Sequence, residues 1–405
     1  MDRPLIEIED ARQAVLERAA RLEAEPVPLR EALGRVLAED AVAPEPVPGF
    51  DNSAMDGYAV RAADTRGAAE GSPAVLRIAG ESRAGRPADL PVVAGEAIAI
   101  STGAMVPAEA DAVVRVEDTA LRDGEVEVRV EVEPGRNIRR AGEDVEAGER
   151  VLEAGALIGP AELGVIASTA RPSVSCARRP RVHVVVSGDE LIGPGQEMRP
   201  GAVRDSNAYT VPALAGAAGA EVTGVEHVGD DAAATRETLA RALASDVTVA
   251  CGGVSVGVHD HVRPALEELG AEEVFWGVAL RPGKPTWFGT APGGPLAFGL
   301  PGNPVSAMVT FILFVRPALL AMQGREPAAT RTTAILEEDY RKKPGRAHAV
   351  RVALRGGEQG WLARPTKEQG SHVLTSMLGA DALAIIPPGD APLAAGTQVE
   401  IELLP

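Results

Sequence analysis

Apolar and polar positions recur with different spacings along the chain. From residue 8 to residue 22 apolar side chains recur every three or four positions with charges between them, which predicts an amphipathic helix. Residues 41–49 are rich in proline and predict an extended connection. From about residue 50 to residue 144 short alternating runs, such as EVEVRVEV from residue 125, are separated by Gly and Pro and predict a β-rich region.

Strands and helices alternate from about residue 178 to residue 322. Apolar strand-like runs begin at residues 181, 221, 246 and 295, and helical patterns begin near residues 207, 230, 261 and 303. Short apolar strands separated by helices predict a parallel, doubly wound sheet covered on both faces. Residues 323–405 return to short strands and predict a small β domain. The predicted fold class is therefore α/β plus β in several domains.

Composition narrows the classes of function. The chain has 405 residues, 45% of them hydrophobic, which predicts about two to four globular domains. A formal net charge of −18 repels a nucleic-acid duplex, and an aromatic fraction of 3% leaves few platforms for stacking bases. We therefore expect no nucleic-acid partner, although a local basic pocket can still bind a small anion.

Cysteine usage and apolar run lengths predict a cytoplasmic protein. Cys176 and Cys251 are far apart and form no CxxC pair, which argues against a structural zinc site or a disulfide framework and suits a reducing compartment. The amino-terminal residues lack the layout of a signal peptide. The longest apolar run, from Val305 to Val315, is too short to span a bilayer, so no membrane association is expected.

Three loops follow strands of the predicted parallel sheet, at the edge where such sheets bind ligands. They read SGDEL from residue 187, CGGVSVG from residue 251 and GLPGNPVS from residue 299. The glycines of the second loop free backbone N–H groups for an oxyanion, and Asn303 with Pro304 starts a helix whose N–H groups suit an anion. The alternatives are a tight turn and an ordinary capped helix. The candidate binding residues are Ser187, Gly188, Gly252, Gly253, Ser255, Pro301, Gly302, Asn303 and Pro304.

Acidic residues repeat at the same predicted edge. Glu190, Asp230 and Asp260 follow three different strands, and carboxylates there either bind Mg²⁺, which bridges phosphates, or transfer protons. The alternative for each is a solvated surface charge or a helix cap. His259 and His261 flank Asp260, but no third ligand has a suitable spacing for a transition-metal site.

Basic residues that suit oxyanions are spread over three regions of the chain. Arg is favoured for this role because its planar group binds two oxygens at once. The candidates are Arg139, Arg140, Arg281, Lys284, Arg346 and Arg351. Taken singly, each is also compatible with an exposed surface charge.

The motifs together resemble one family, the molybdopterin molybdenumtransferases, which include MoeA and the gephyrin E domain. The match covers essentially the whole chain in the expected order. It rests on PGFDNSAMDGYAV at 48, ISTGAMVP at 100, GRNIRRAGEDV at 135, SGDEL at 187, RDSN at 204, GGVSVGVHD at 252, RPGKP at 281, GLPGNPVS at 299 and EQGSH at 368.

The resemblance implies four domains and an elongated homodimer. Domain I would comprise residues 24–42 and 145–177, and the β-rich domain II residues 43–144. Domain III, an αβα molybdopterin-binding domain, would comprise residues 1–23 and 178–322. A C-terminal β-barrel, domain IV, would comprise residues 323–405. The active site would lie between domain III of one subunit and domain II of the other.

The resemblance also implies the reaction and the residues that perform it. Molybdate would be inserted into adenylylated molybdopterin with Mg²⁺ as cofactor and AMP as a product, and transient contacts with molybdopterin adenylyltransferase and apo-molybdoenzymes would follow. Asp56, Glu190, Asp230 and Asp260 are the implied catalytic residues, the last three also as metal ligands. The remaining implied substrate contacts are Thr102, Arg139, Arg281, Lys284, Pro301, Pro304, Arg351 and Ser371.

Three departures and two rival functions accompany this hypothesis. The usual STGDEL of the family reads VSGDEL here, with Val186 and Ser187. Gly277 stands where the family usually has a basic residue, and Arg281 replaces a common Lys but keeps its charge. Arg281 and Lys284 could therefore supply the charge missing at position 277. A molybdopterin adenylyltransferase would share the αβα domain but would need no extra β domains. A gephyrin-like dimeric scaffold would not need the carboxylates.

Overall fold

The computed structural model describes residues 4–254, 260–358, 360–366 and 368–405, without the side chain of Ala329. Ser255 and His259 therefore lie outside the described residues. Three six-stranded sheets dominate the fold, one in a β-rich unit, one in an αβα unit and one in a C-terminal barrel. The predicted class, α/β plus β in several domains, is confirmed.

The αβα unit contains the four predicted parallel strands. Their spatial order is Glu221–Val228, Arg181–Ser187, Val247–Cys251 and Leu296–Leu300. Two strands that the sequence pattern did not reveal extend the sheet on one side. Trp287–Thr290 runs antiparallel to Leu296–Leu300, and Glu272–Trp276 runs antiparallel to Trp287–Thr290. The central strand Val247–Cys251 is buried at every position, as a sheet covered on both faces requires.

Helices cover both faces of this sheet and begin where the sequence predicts them. They are Asn207–Ala217, Ala232–Ala242, Val262–Glu268 and Pro304–Thr310. The last continues through a π-helical turn, Phe311–Val315, into Arg316–Met322. By length and composition this 19-residue helix is one that could cross a membrane, but 89% of the tested window is buried inside the protein. We therefore assign it as a core helix.

The amino-terminal helix is shorter than predicted. It runs over Ile8–Leu16, and its apolar face, including Val15, packs in the core of the αβα unit. The chain then turns, and the N–H of Leu22 donates to the carbonyl of Met322 at 2.8 Å. Leu22 still packs against the core, so the apolar spacing continued beyond the last helical residue.

Two smaller units lie between the first helix and the αβα unit. The β-rich unit has a mixed sheet in the order Ala112–Arg115, Gly57–Val60, Glu96–Ile100, Ala74–Ser82, Glu125–Val128 and Thr119–Arg122, and a separate pair joins Asn52–Ser53 to Ile138–Arg139. The other unit pairs Ala24–Pro28 with Ser173–Ala177 and Ala41–Val42 with Arg150–Leu152, beside the helix Pro160–Ser168.

The C-terminal sheet closes on itself as a five-stranded barrel. Its strands are Arg331–Leu336, Ala347–Gly357, Gly360–Pro365, Ala382–Ile386 and Gln398–Leu403, and pairing between the second and fourth closes the ring. A short strand from the preceding unit, Leu280–Arg281, adds to the barrel parallel to Ala347 and His348. The αβα unit and the barrel are therefore joined by backbone hydrogen bonds.

A buried ion cluster also fastens the barrel to the αβα unit. Glu402, which is 1% exposed, accepts from Arg12 Nη2 at 2.9 Å and from Arg316 Nη2 at 3.1 Å. Arg12 Nε also donates to the carbonyl of Leu313, inside the π-helical turn, at 3.3 Å. Arg331 Nε lies 3.6 Å from Glu402 Oε2, the oxygen that also accepts from Arg12. The cluster links the first helix, the long core helix and the last strand of the barrel.

Candidate functional site

Two adjacent cavities of opposite charge lie at the carboxyl edge of the parallel sheet. The first, of about 540 Å³, is lined by all three predicted loops, and we call it the acidic cavity. Glu190, Asp230 and Asp260 line it, and its described lining contains no Lys or Arg. Of the predicted residues, the cavity also brings together Ser187, Gly188, Gly252, Gly253, Pro301, Gly302, Asn303 and Pro304.

The glycine loop fits this edge by close packing rather than by offering every N–H to a ligand. Gly252 has φ +90°, and a Cβ there would lie 2.7 Å from the carbonyl oxygen of Ser187. Its N–H donates to the carbonyl of Leu300 at 3.0 Å, and the N–H of Gly188 donates to the carbonyl of Val228 at 3.1 Å. The expectation that Gly252 frees its N–H for an oxyanion is therefore wrong, because the neighbouring strand uses that donor.

Asp189 holds two acidic loops together. Its Oδ1 accepts from the N–H of Asp230 at 3.1 Å, and its backbone carbonyl accepts from Arg199. Asp189 thereby fixes Asp230 next to the loop that carries Glu190. Asp189 is part of the SGDEL motif, but its pairing could not be predicted from local pattern because it joins positions 41 residues apart.

The loop before the long helix starts it differently from the prediction. Pro304 occupies the first helical position and Asn303 the capping position, as predicted, but the Asn303 side chain makes no capping hydrogen bond. It donates instead to Ser371 Oγ at 3.4 Å. The N–H of Val305 donates to the carbonyl of Ser371 at 3.2 Å. Ser371, from the barrel, therefore takes an N–H group that the sequence had assigned to an anion.

The second cavity, of about 700 Å³, lies between the αβα unit and the barrel, and we call it the basic cavity. It shares Pro285, Pro301 and Asn303 with the acidic cavity. Its described lining contains no carboxylate and six cationic side chains, from Arg281, Lys284, Arg341, Lys343, Arg346 and Arg351. Such a wall attracts anions and disfavours cations.

Arg351 is the most unusual of these cations. It is 0% exposed, and its side-chain hydrogen bonds within the described residues go to neutral acceptors, Ser376 Oγ at 3.1 Å and the carbonyls of Gly370 at 3.3 Å and Ala349 at 3.4 Å. Burial lowers the pKa of the guanidinium to about 10, so it remains charged at neutral pH. A buried charge without a counter-ion is costly unless an anion joins it.

A histidine and a tyrosine form another part of the basic cavity wall. His348, 5% exposed, lies between Tyr340 Oη at 3.1 Å and the carbonyl of Lys343 at 3.1 Å. Burial, and then the positive charges of Arg281 and Arg346, lower the pKa of His348. The ring is therefore neutral at pH 7, and since the carbonyl can only accept, its Nε2 carries the proton.

The acidic cavity suits one kind of magnesium site. Within the described residues, no group of three or more His, Cys, Asp and Glu side chains is arranged to hold a metal ion. A site built wholly from protein ligands therefore does not fit. Mg²⁺ commonly takes one or two carboxylates and completes its shell with phosphate oxygens and water. Any one or two of Glu190, Asp230 and Asp260 fit that donor set, and the described lining has no Lys or Arg to neutralise a phosphate.

Three predicted residues lie elsewhere in the same chain. Asp56, Thr102 and Arg139 belong to the β-rich unit and line neither cavity. Asp56 Oδ1 accepts from the N–H of Thr102 at 2.7 Å, and Arg139 is exposed on the strand paired with Asn52. Their predicted role across a dimer stays a prediction.

Some residues that line the two cavities were not predicted from the sequence. Tyr340, Arg341, Lys343 and His348 lie in the segment EEDYRKKPGRAH, whose run of charges was the available signal. Asn207 lines the acidic cavity and belongs to the RDSN motif. The charged segment and Asn207 were not predicted as parts of the site, because they reach it only through contacts with distant parts of the chain.

Gly277 adopts a conformation that explains the missing basic residue. Its φ is +88°, which favours glycine, and a Cβ there would lie 2.9 Å from the side chain of Leu5. Arg281 and Lys284 both line the basic cavity nearby.

Comparisons with known proteins agree along the whole chain. Sequence models of three regions match: the MoeA N-terminal region, domains I and II, at residues 6–170; a probable molybdopterin binding domain at 183–321; and the MoeA C-terminal region, domain IV, at 333–404. Molybdopterin molybdenumtransferase 2 of Mycobacterium tuberculosis is 39% identical over 93% of this chain and 94% of its own length. Molybdopterin molybdenumtransferase of Haemophilus influenzae is 35% identical over 98% of both.

A solved structure gives the same result. The molybdopterin biosynthesis MoeA protein of Pyrococcus horikoshii superposes with a TM-score of 0.83 and 34% identity, covering 99% of each chain. Similarity in sequence and in fold therefore extends over nearly the full length, and the chain belongs to the MoeA family of molybdopterin molybdenumtransferases.

Proposed function

We propose that this chain inserts molybdenum from molybdate into adenylylated molybdopterin and releases AMP. The observation that carries the proposal is the contact between a carboxylate-lined cavity and a cation-lined cavity through Pro285, Pro301 and Asn303. The first suits a phosphoanhydride accompanied by Mg²⁺, and the second suits a tetrahedral oxyanion. A reaction that joins a phosphorylated ligand to an oxyanion requires this adjacency.

In the acidic cavity, one or two of Glu190, Asp230 and Asp260 would hold Mg²⁺ and so orient the phosphoanhydride. The bound ion would supply the positive charge that neutralises the phosphate oxygens and makes AMP a better leaving group. Asp189 keeps Asp230 in position through the 3.1 Å hydrogen bond to its N–H. Water cleaves the anhydride bond. The oxygen of this water becomes part of the molybdopterin phosphate or of AMP, and its two protons go to the two phosphate products.

In the basic cavity, molybdate is held by Arg351, Ser371 and the other cationic side chains of the lining. The dithiol of molybdopterin displaces one molybdate oxygen, which leaves as water with the two thiol protons while two Mo–S bonds form. Molybdenum keeps its oxidation state, so the step needs no electron donor. The chain contributes position and charge rather than a covalent intermediate.

We also propose that two copies of the chain form each active site. Asp56, Thr102 and Arg139 lie together on the β-rich unit, away from the cavities of their own chain. Phe50, Met55 and Met105 in the same region are each more than 40% exposed, which is typical of a surface that is covered by a partner. A homodimer would bring this surface to the partner's acidic cavity.

Complementation between two inactive variants tests the shared site. Coexpressed Asp56→Ala and Glu190→Ala chains are expected to recover about one quarter of wild-type activity, since half of randomly formed dimers carry one intact site out of two. Each variant alone is expected to be inactive. AMP release is measured for the coexpressed mixture and for each variant alone. Equal release in all three would contradict a site built from both chains.

Molybdate-dependent AMP release tests the activity itself. With adenylylated molybdopterin and Mg²⁺, we expect release only when micromolar molybdate is present, and a product that activates an apo-molybdoenzyme. Glu190→Gln is expected to weaken the apparent Mg²⁺ affinity about tenfold or more, because a carboxylate ligand is lost. Glu197→Gln, an exposed neighbour outside the cavity lining, is the control.

The other outcomes of that assay separate the rival functions. Formation of adenylylated molybdopterin from ATP and molybdopterin, without molybdate-dependent release, would favour an adenylyltransferase. Neither activity would favour a scaffold. We place the enzyme in the cytoplasm, in transient contact with the adenylyltransferase that supplies its substrate and with the apo-molybdoenzymes that take its product.

A further inference from the structure

Asn207 connects the acidic cavity to the loop that the two cavities share. It is the first residue of the helix Asn207–Ala217 and is 6% exposed. Its Nδ2 donates to the carbonyl of Gly302 at 2.8 Å, whereas its buried Oδ1 has no hydrogen-bond partner in the described part of the chain. The amide orientation is defined, because only an N–H can face a carbonyl oxygen.

The backbone around Asn207 is held firmly. Asp205, 4% exposed, accepts from the N–H of Ala208 at 3.1 Å, and its own N–H donates to the carbonyl of Ile192 at 2.9 Å. The Asn207 side chain therefore acts as a fixed support, and Gly302 is the part it positions.

Gly302 begins a short path between the cavities. Gly302 packs on Gly252 in the acidic cavity, where a Cβ would lie 3.6 Å from the Gly252 Cα. The next residue, Asn303, lines both cavities and donates to Ser371 Oγ in the basic cavity. A ligand in one cavity that moves Gly302 and Asn303 must therefore also move the groups that these residues present to the other cavity.

We propose that Asn207 is a positioning residue that couples the two cavities through Gly302 and Asn303, so that a ligand in one raises the affinity for a ligand in the other. The proposal rests on the proposed function of the two cavities. Because Asn207 holds Gly302, and Asn303 lines both cavities, a first ligand that sets the position of the shared segment also places the groups that the second ligand contacts. Coupling of this kind is reciprocal, and values from about 5-fold to 150-fold are typical.

The experiment is calorimetric titration of the dimeric protein with molybdate, in the absence and presence of saturating AMP and Mg²⁺. In the wild type we expect AMP with Mg²⁺ to tighten molybdate binding at least fivefold. In Asn207→Leu, which keeps the number and branching of the side-chain heavy atoms and removes the donor, we expect AMP with Mg²⁺ to change molybdate affinity less than twofold. If this variant does not fold, Asn207→Asp replaces it.

Gln323→Leu is the matched control. Gln323 is 3% exposed, and its Nε2 donates to the carbonyl of Ala218 at 2.8 Å. It joins the same two helical segments as Asn207, but at their opposite ends, away from both cavities. This variant is expected to keep the wild-type coupling.

Each other result identifies what is wrong. If the wild type binds neither molybdate nor AMP, the proposed function fails. If it binds both without coupling, or if Asn207→Leu keeps the full coupling, the proposed function stands and the role of Asn207 fails. A loss of more than tenfold in the affinity of Asn207→Leu for either ligand alone would make Asn207 a direct contact and overturn its positioning role.

Discussion

Glu402→Gln is expected to destabilise the protein by about 3–5 kcal/mol, because it removes the negative charge from a buried cluster of arginines. Arg12 and Arg316 are 3% and 4% exposed and both donate to this carboxylate. Burial lowers the pKa of Arg316, and the negative charge of Glu402 acts in the opposite direction. A lower midpoint of urea unfolding, followed by fluorescence and by circular dichroism, measures the effect.

Glu337→Gln provides the comparison for that experiment. Glu337 pairs with Arg355 on the barrel, and the Arg355 side chain is 65% exposed. Ion pairs with an exposed partner contribute roughly 0–1 kcal/mol, so this variant should unfold close to the wild type. Equal midpoints for the two variants would mean that the buried cluster does not hold the barrel to the αβα unit.

Arg351→Met is expected to weaken molybdate binding by about 30-fold to several thousand-fold, which corresponds to roughly 2–5 kcal/mol. Methionine retains much of the side-chain volume and removes the buried charge that the anion compensates. Arg341→Met, at the exposed rim of the same cavity, is expected to cost less than about tenfold, since solvent screens its charge. Titration calorimetry with molybdate compares the two variants.

The pH dependence of binding gives a second measurement of the same effect. Because burial lowers the pKa of Arg351 to about 10, its charge is present below that pH and is lost as the pH rises through it. Molybdate affinity should therefore fall above pH 10 in the wild type more steeply than in Arg351→Met. Equal affinity of Arg351→Met and the wild type at pH 8 would exclude Arg351 from the anion site.

The sequence predicted the parts of the fold and of the site that depend on local pattern. Four parallel strands, their helices and the three loops at one edge follow from apolar runs separated by Gly, Asn and Pro. The carboxylates Glu190, Asp230 and Asp260 follow from the topology, because parallel strands end at one edge. Residue-by-residue comparison with a family added Ser371, which local pattern alone did not distinguish from other polar residues of the barrel, and gave a role at the site to Arg351, which was already a basic candidate.

What the sequence could not predict depends on contacts between distant segments. The position of Asn303 before Pro304 predicts a side-chain helix cap, but its amide donates instead to Ser371, 68 positions away. Gly252 has the sequence of an anion-binding turn, but its N–H completes a contact with Leu300. The antiparallel strand Glu272–Trp276 has no apolar alternation strong enough to identify it, and its pairing with Trp287–Thr290 defines it.

The cluster around Glu402 also has a consequence for biosynthesis. Arg12 donates to the carbonyl of Leu313, 301 positions later in the chain, and to the carboxylate of Glu402, 390 positions later. At translation rates of about 5–20 residues per second, roughly 20–80 s separate the emergence of Arg12 from that of Glu402. During most of that interval the apolar face of the first helix has been made, but the long core helix on which it packs, ending at Met322, has not. We therefore expect nascent chains to need chaperone protection of this helix until the core helix has emerged, and the charge of Arg12 to lack its Glu402 partner until the barrel is complete.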